Sequence, residues 1–240
     1  MAGLALRDER AERRDLASRS ETKFLFSGGD VAAVRAVLRR SAEPIVYAGA
    51  VSTVRSVYFD DARLAACRAN LDGLGVRDKF RFRWYDRALP EDDCWFEIKW
   101  RRNLATGKRR FQVQASGRLL DLPLREWPRA VRAAAPDDSA AVLERMQQAV
   151  AVVEYKREHF ALGRARLTLD YDLRFYPLLG SSHLALRFVE RAPELVLVEC
   201  KAPLDGAGYE QRVLRPLGGR ATRFSKYVTA CQRLGFAAAN

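Results

Sequence analysis

The chain's 240 residues, 48% of them hydrophobic, suffice to bury a substantial core, read here as one domain. Its 42 Lys and Arg exceed its 30 Asp and Glu, a formal charge of +12 that favours anionic partners such as nucleic acid, acidic lipid, nucleotide or inorganic phosphate chains. No run approaches the roughly 18 apolar residues of a membrane span, the start lacks a signal peptide's apolar run, and Cys67, Cys94, Cys200 and Cys231 form no CxxC pair; a reducing cytoplasm is expected, without zinc site or disulfide framework.

Residues 1–18 mix charges with Ala and Leu and read as a short surface helix or frayed tail. Ser20 to Phe26 reads as a strand, with Glu21 and Lys23 on one face and Phe24 and Phe26 on the other. Gly28-Gly29-Asp30 breaks it, and Asp30 can cap a helix carrying Val31, Val34, Val37 and Leu38 at helical spacing. Val54 to Asp60 has the β-branched and aromatic content of a strand, and Leu64 to Leu71 reads as a short helix. The following turn, Asp72-Gly73-Leu74-Gly75, does not match GxxxxGK[ST], so it is not a phosphate-binding P-loop.

From Lys79 to Arg101 the alternation is strictest. Lys79, Arg81 and Arg83 share one face of a strand, and Phe80, Phe82 and Trp84 take the other. After a turn at Pro90-Glu91-Asp92-Asp93, Glu97 and Lys99 lie opposite Phe96, Ile98 and Trp100, completing a hairpin. A third basic strand, Lys108 to Gln114, puts Lys108 and Arg110 on one side and turns Arg109 away. Residues 118–150, rich in Ala, Leu and Arg and broken at Pro123, Pro128 and Pro136, read as a helical insertion whose basic residues form a solvated face. Strand character resumes in Val152 to Phe160, where Tyr155, Arg157 and His159 share a face, and in Arg164 to Tyr171, where Arg166, Thr168 and Asp170 do. The last clear strand is Leu195 to Lys201, with Glu199 and Lys201 on one face.

One such hairpin fits an ordinary sheet with a solvated charged face. Here the division recurs in strand after strand, as in Glu21-x-Lys23, Glu97-x-Lys99 and Glu199-x-Lys201. If these strands close into a barrel with charges inward, the interior is a polar tunnel lined by ammonium and guanidinium groups. Burying those like charges is too costly unless an anion fills the tunnel and carboxylates, or a metal they hold, balance the rest. His159 and His183 are read as incidental.

Arg19-x-Glu21-x-Lys23, Ser56-Val57-Tyr58-Phe59-Asp60, Lys79-x-Arg81-x-Arg83-Trp84-Tyr85, Glu97-x-Lys99, Tyr155-x-Arg157, Glu199-x-Lys201 and Arg223-Phe224-Ser225-Lys226-Tyr227 occur in this order. That series resembles the VTC domain, the catalytic core of polyphosphate polymerases within the triphosphate tunnel (CYTH-like) superfamily, over residues 19–236. The resemblance implies an α+β fold, an antiparallel eight-stranded β-barrel with flanking helices. It implies phosphate contacts from Lys23, Lys79, Arg81, Arg83, Lys99, Lys108, Arg157, Lys201, Arg223, Ser225 and Lys226. It places catalysis on Lys226, Arg81, Arg83 and Glu199, and a divalent Mn²⁺ or Mg²⁺ on Glu199, with Glu21 and Glu97 as further candidates. Family members often carry Lys at Arg223, and hydrolases of the CYTH branch carry another glutamate at Arg19.

The activity so implied moves the terminal phosphoryl group of ATP, or of another nucleoside triphosphate, to a polyphosphate chain. Two alternatives stay open: a tunnel-fold triphosphatase acting on inorganic or nucleoside triphosphate, and a non-catalytic polyphosphate or polyanion binder. Nucleic acid is not expected, because the strand aromatics alternate away from the basic face and offer it no stacking platform. Eukaryotic members of the resembled family add a phosphate-sensing domain and membrane helices; this sequence shows neither, which leaves open an unseen membrane or protein partner.

Overall fold

Period-two alternation resolves into one antiparallel sheet. The computed structural model describes residues 5–8, 19–27, 30–91, 94–103, 105–114, 117–203, 213–214 and 220–238. Its strands are β1 (Ala5–Asp8), β2 (Arg19–Ser27), β3 (Glu43–Ile45), β4 (Ser52–Asp60), β5 (Val76–Tyr85), β6 (Cys94–Arg102), β7 (Ala105–Gln114), β8 (Gln148–Leu162), β9 (Ala165–Pro177), β10 (Glu190–Ala192), β11 (Leu195–Pro203) and β12 (Arg220–Ala221). The helices are α1 (Val31–Ser41), α2 (Ala65–Leu71), α3 (Gly117–Leu120), α4 (Trp127–Ala134), α5 (Ala140–Leu143) and α6 (Lys226–Arg233).

The eight long strands run in the order β7-β6-β5-β4-β8-β9-β11-β2, with β1 added beside β7 and β12 beside β2, while β3 and β10 pair with β8 and β9. They form the expected antiparallel eight-stranded barrel as a curled half-barrel: among the described strands no ladder joins the β2 edge to the β7 edge. Ala5–Asp8, read from sequence within a helix or tail, is a strand paired with β7 (Leu6 opposite Val113). The rest of 1–18, like Gly28, Gly29, Asp92 and Asp93, lies outside the described residues. The helical insertion ends at Leu143, and Gln148 already begins β8, so the tail of the expected 118–150 segment is strand.

The apolar faces decide what covers the sheet. Phe24, Phe26, Val196 and Val198 turn outward under Val34 and Leu38 of α1, a helix capped by Asp30, whose Oδ1 accepts from Ala32 N at 2.7 Å. Phe80, Phe82, Trp84, Phe96, Ile98 and Phe111 turn outward under Leu119, Leu124, Trp127, Val131 and Leu143 of the insertion. Each such large side chain contributes about 1.5–3 kcal/mol on burial, so the outer apolar faces fix the charged faces inward. Arg109 faces the insertion as expected, donating to Asp138 Oδ1 at 2.8 Å and to Ser139.

A third apolar cluster fills part of the interior. Leu173 and Phe175 of β9, Val153 and Tyr155 of β8, and Leu195 meet Tyr227, Ala230 and Cys231 of α6 and Cys67 of α2. One strand serves both the charged and the apolar part through a bulge. Between the pairs Glu154–Arg174 and Lys156–Tyr171, the single residue Tyr155 faces Asp172 and Leu173, and Asp172 takes φ 51°. Arg174, which follows the expected Arg164 to Tyr171 strand, lies within β9, paired with Asp172 and Glu154.

A cation-lined tunnel as candidate functional site

Lys79, Arg81 and Arg83 enter the interior together because they alternate with the outward Phe80 and Phe82. Register puts Arg81 opposite Glu97 on β6 and opposite Tyr58 on β4. Arg81 Nε donates to Glu97 Oε2 at 2.5 Å and Arg81 Nη1 to the Tyr58 hydroxyl at 3.3 Å. Arg83 donates to Ser56 Oγ at 3.1 Å and to the Tyr155 hydroxyl at 3.3 Å. Glu97 also meets Arg83 at 3.9 Å, Lys108 at 3.4 Å and Arg110 at 3.6 Å. Burial pushes the Glu97 carboxyl up, but Arg81, Arg83, Lys108 and Lys99 hold it well below the usual carboxylate range.

The other wall gathers around two carboxylates. Asp170 accepts from Arg157 Nε at 2.6 Å and Nη2 at 2.7 Å, and Lys226 Nζ stands 2.6 Å from its Oδ2. Glu199 lies 3.5 Å from Lys226, 3.6 Å from Arg157 and 3.9 Å from Lys23, its neighbour on β2. Burial raises the Glu199 carboxyl, yet Lys226, Lys23 and Arg157 bring it well below normal. Lys226 also rides 4.6 Å above the Tyr155 ring.

The two walls face each other across the curl. Burial raises Glu21 on β2, but Lys99 on β6, with Lys23 and Lys201, brings it down to about 2 against repulsion from Glu199. Lys99 is pushed well below a normal lysine by burial and by Arg81, Lys201 and Lys23. Lys79 falls to about 7, through burial and then Lys23, Arg77 and Arg81. At one end, Lys79 Nζ donates to Ser225 Oγ at 2.9 Å and Lys23 Nζ to the Phe224 carbonyl at 3.1 Å. Ser225 caps α6, its hydroxyl accepting from Val228 N at 3.4 Å.

Of the residues singled out from sequence, Glu21, Lys23, Lys79, Arg81, Arg83, Glu97, Lys99, Lys108, Arg157, Glu199, Lys201, Ser225 and Lys226 share this interior, Lys201 at its more open side, 3.9 Å from Glu21. Arg223 is exposed at the rim, its guanidinium beside Gly73. Sequence reasoning gave Asp170, Tyr155, Ser56 and Tyr58 no role. Ser56, Tyr58 and Asp60 point inward together: the first two hold Arg83 and Arg81, and Asp60 accepts from the Tyr227 hydroxyl at 2.7 Å. The quoted Ser-Val-Tyr-Phe-Asp run carried that signal in its alternation. The expectation that aromatics avoid the basic face is corrected at Tyr58 and Tyr155, which lie on it as hydroxyl partners of arginine.

Among the described residues no group of three or more His, Cys, Asp or Glu side chains is arranged to hold a metal ion. Mg²⁺ commonly binds through one or two carboxylates plus phosphate oxygens, and carboxylates also suit Mn²⁺. Glu21 and Glu199, at 3.2 Å and 3.9 Å from Lys23, are the carboxylates that could hold a divalent cation arriving with a phosphate chain.

A curled antiparallel sheet whose concave face carries converging Lys and Arg defines a tunnel-fold protein. A family model for the VTC domain matches residues 18–235, and the chain belongs to that family. One solved structure shows the same fold, and two others are similar more loosely. The candidate adenylyl cyclase HpAC1 from Hippeastrum, described as having a dominant triphosphatase activity, is 14% identical with a TM-score of 0.51, over 90% of this chain and 96% of its own. The PH1819 protein of Pyrococcus horikoshii OT3 is 12% identical with a TM-score of 0.47, over 89% of this chain and 99% of its own. A candidate adenylate cyclase from Vibrio parahaemolyticus is 11% identical with a TM-score of 0.46, over 88% and 97%. No curated protein sequence matches this one. Among the described residues no helix is long and apolar enough to cross a membrane.

Proposed function

We propose that this protein is a metal-dependent phosphotransferase that moves the terminal phosphoryl group of ATP onto a polyphosphate chain held in the tunnel. The observation that carries the reading is the imbalance of the interior. Among the described residues, Lys23, Lys79, Arg81, Arg83, Lys99, Lys108, Arg157, Lys201 and Lys226 converge on Glu21, Glu97, Asp170 and Glu199. An excess of buried cations is stable when an anion of matching shape completes it.

In the reaction, a terminal oxygen of the chain attacks the γ-phosphorus of ATP; the bond to the β–γ bridging oxygen breaks, ADP leaves, and the chain is one phosphate longer. This loose transition state needs alignment and charge neutralisation more than a covalent nucleophile. Arg81 and Arg83, braced by Glu97, Tyr58, Ser56 and Tyr155, present their remaining guanidinium N–H groups to phosphate oxygens. Lys226, fixed by Asp170, supplies a permanent positive charge, since its carboxylate neighbours raise its pKa above that of an ordinary lysine despite burial. Lys23, Lys99, Arg157 and Lys201 hold the chain in line. A divalent cation, when bound on Glu199 with Glu21, would neutralise charge on the transferring phosphates.

Hydrolysis is the second reading, and the carboxylates favour transfer over it. Water must lose a proton to attack, whereas the chain terminus is already an anion. Glu97 and Glu199 are both held far below the near-neutral pKa of an efficient general base. Incubation with ATP and Mn²⁺, resolved by gel for phosphate chains and assayed for free phosphate, separates the readings. Chains support transfer, phosphate alone supports hydrolysis, and neither leaves a polyanion binder.

A further inference from the structure

The inward row of β5 does not stop at Lys79. Arg77 has the same parity as Lys79, Arg81 and Arg83, and register pairs it with Arg101 on β6, two residues beyond Lys99 on that strand's inward face. Arg223, from the segment before α6, reaches the same place, its guanidinium beside Gly73. Gly73 takes φ 68°, a left-handed turn that glycine adopts without strain.

These arginines differ from the interior ones in their partners. Arg81, Arg157 and Arg83 each meet a carboxylate. Arg77 donates to the Leu74 carbonyl, and Arg101 to the Asn103 carbonyl at 2.7 Å. Among the described residues neither they nor Arg223 form an ion pair. They repel one another as well: burial, Arg101 and Arg223 together lower the Arg77 pKa. Backbone carbonyls orient a guanidinium without neutralising it, so this rim is a fixed patch of uncompensated charge, continuous with the tunnel.

We infer that Arg77 and Arg101, joined by Arg223, form an outer subsite for an inorganic phosphate chain longer than triphosphate. From Arg83 to Arg77 the cationic row runs about 20 Å at strand spacing, farther than three linked phosphates reach. A triphosphate satisfies the interior and leaves the rim untouched; a longer chain lies on both. The rim thus gives the tunnel a preference for length, and the inference rests on the polyphosphate reading above.

The test is equilibrium binding of inorganic triphosphate and of size-fractionated polyphosphate several times longer, to the wild type and to the Arg77→Gln/Arg101→Gln double variant. In the wild type the longer chain should bind more tightly per molecule. In the double variant that gain should shrink by about tenfold or more, as expected for losing two charge-assisted contacts, while triphosphate affinity stays within about twofold. A wild type without a length preference, or a double variant that keeps it, overturns the rim assignment while leaving triphosphate binding intact. Loss of triphosphate binding by the wild type itself sinks the tunnel reading instead. An oligonucleotide with as many phosphates, if it depended equally on Arg77 and Arg101, would overturn the assignment to inorganic chains.

Discussion

Lys226 holds its ammonium 2.6 Å from the Asp170 carboxylate, with both groups buried beside Tyr155. Removing one partner strands a charge in the interior. Lys226→Met should therefore lower stability by about 3 kcal/mol, at the modest end because Arg157 still grips Asp170. Urea unfolding of Lys226→Met, Asp170→Asn and the double variant should give a coupling of about 1 kcal/mol or more. Simple additivity would show that the pair does not act as a unit.

Lys79 predicts a proton-linked affinity. In the free tunnel its pKa falls from 10.5 to about 7, and a phosphate oxygen beside it favours the charged form. Binding at pH 8 should take up a proton, and affinity should weaken as pH rises from about 7 toward the higher pKa of the filled tunnel. For the free protein the sign is opposite. Between about 7 and 10.5 folded Lys79 carries fewer protons than the unfolded chain, so its contribution to stability rises with pH across that window. Titration calorimetry of triphosphate in two buffers of different ionisation heat should reveal the uptake, and Lys79→Met should reduce it. Equal heats in both buffers at pH 8 would refute this account.

Glu199 sits among Lys226, Arg157 and Lys23, an arrangement equally suited to a structural ion network and to a metal ligand. Glu199→Gln keeps the shape and removes the hard anionic oxygen. Metal-dependent turnover should fall at least tenfold, a loss of about 1.4 kcal/mol or more of transition-state stabilisation, while polyphosphate binding persists or tightens. Turnover that matches the wild type at every Mn²⁺ concentration would assign Glu199 to structure alone.

Tyr227 links α6 to the end of β4 through its 2.7 Å hydrogen bond to Asp60. The same carboxylate accepts from Ala66 N at 2.9 Å and Cys67 N at 3.0 Å, so one group ties α2 and α6 to the sheet. Tyr227→Phe should cost about 1–2 kcal/mol, read from the urea midpoint with an unchanged slope, because Asp60 retains its other donors. Triphosphate affinity should hold, since this hydroxyl holds the helix and faces no phosphate.

Much of this architecture was legible in the sequence because strand periodicity needs only neighbours. Lys79, Arg81 and Arg83 against Phe80 and Phe82 gave the faces, and Arg109 was correctly turned away from the tunnel. What needs pairing was not legible. Ala5–Asp8 becomes a strand only because β7 offers a free edge, and its charged, Ala-rich surroundings carry no local strand signal. β8 starts at Gln148 because Ala149 to Val153 is buried on both faces, a pattern that does not separate strand from helix. Arg157 was placed with Tyr155 and His159 and Asp170 with Arg166 and Thr168, each on one face of its own strand, but their contact depends on a register that no single strand encodes.

The extra residue at Asp172 has a consequence for how this chain can change over time. Before it, even-numbered residues of β9 such as Thr168 and Asp170 face the tunnel; after it, odd-numbered Leu173 and Phe175 do, packed in the interior cluster. One residue thus works as a reading-frame shift written into a sheet. Were the ladder to run through it in plain alternation, Arg174 and Tyr176 would turn inward and Phe175 would be expelled. Deleting Asp172 would remove the bulge and leave the later faces where they are, so a one-residue change of length is absorbed at this point and exchanges faces elsewhere along the strand, even though Asp172 is not itself one of the residues lining the charged part of the tunnel.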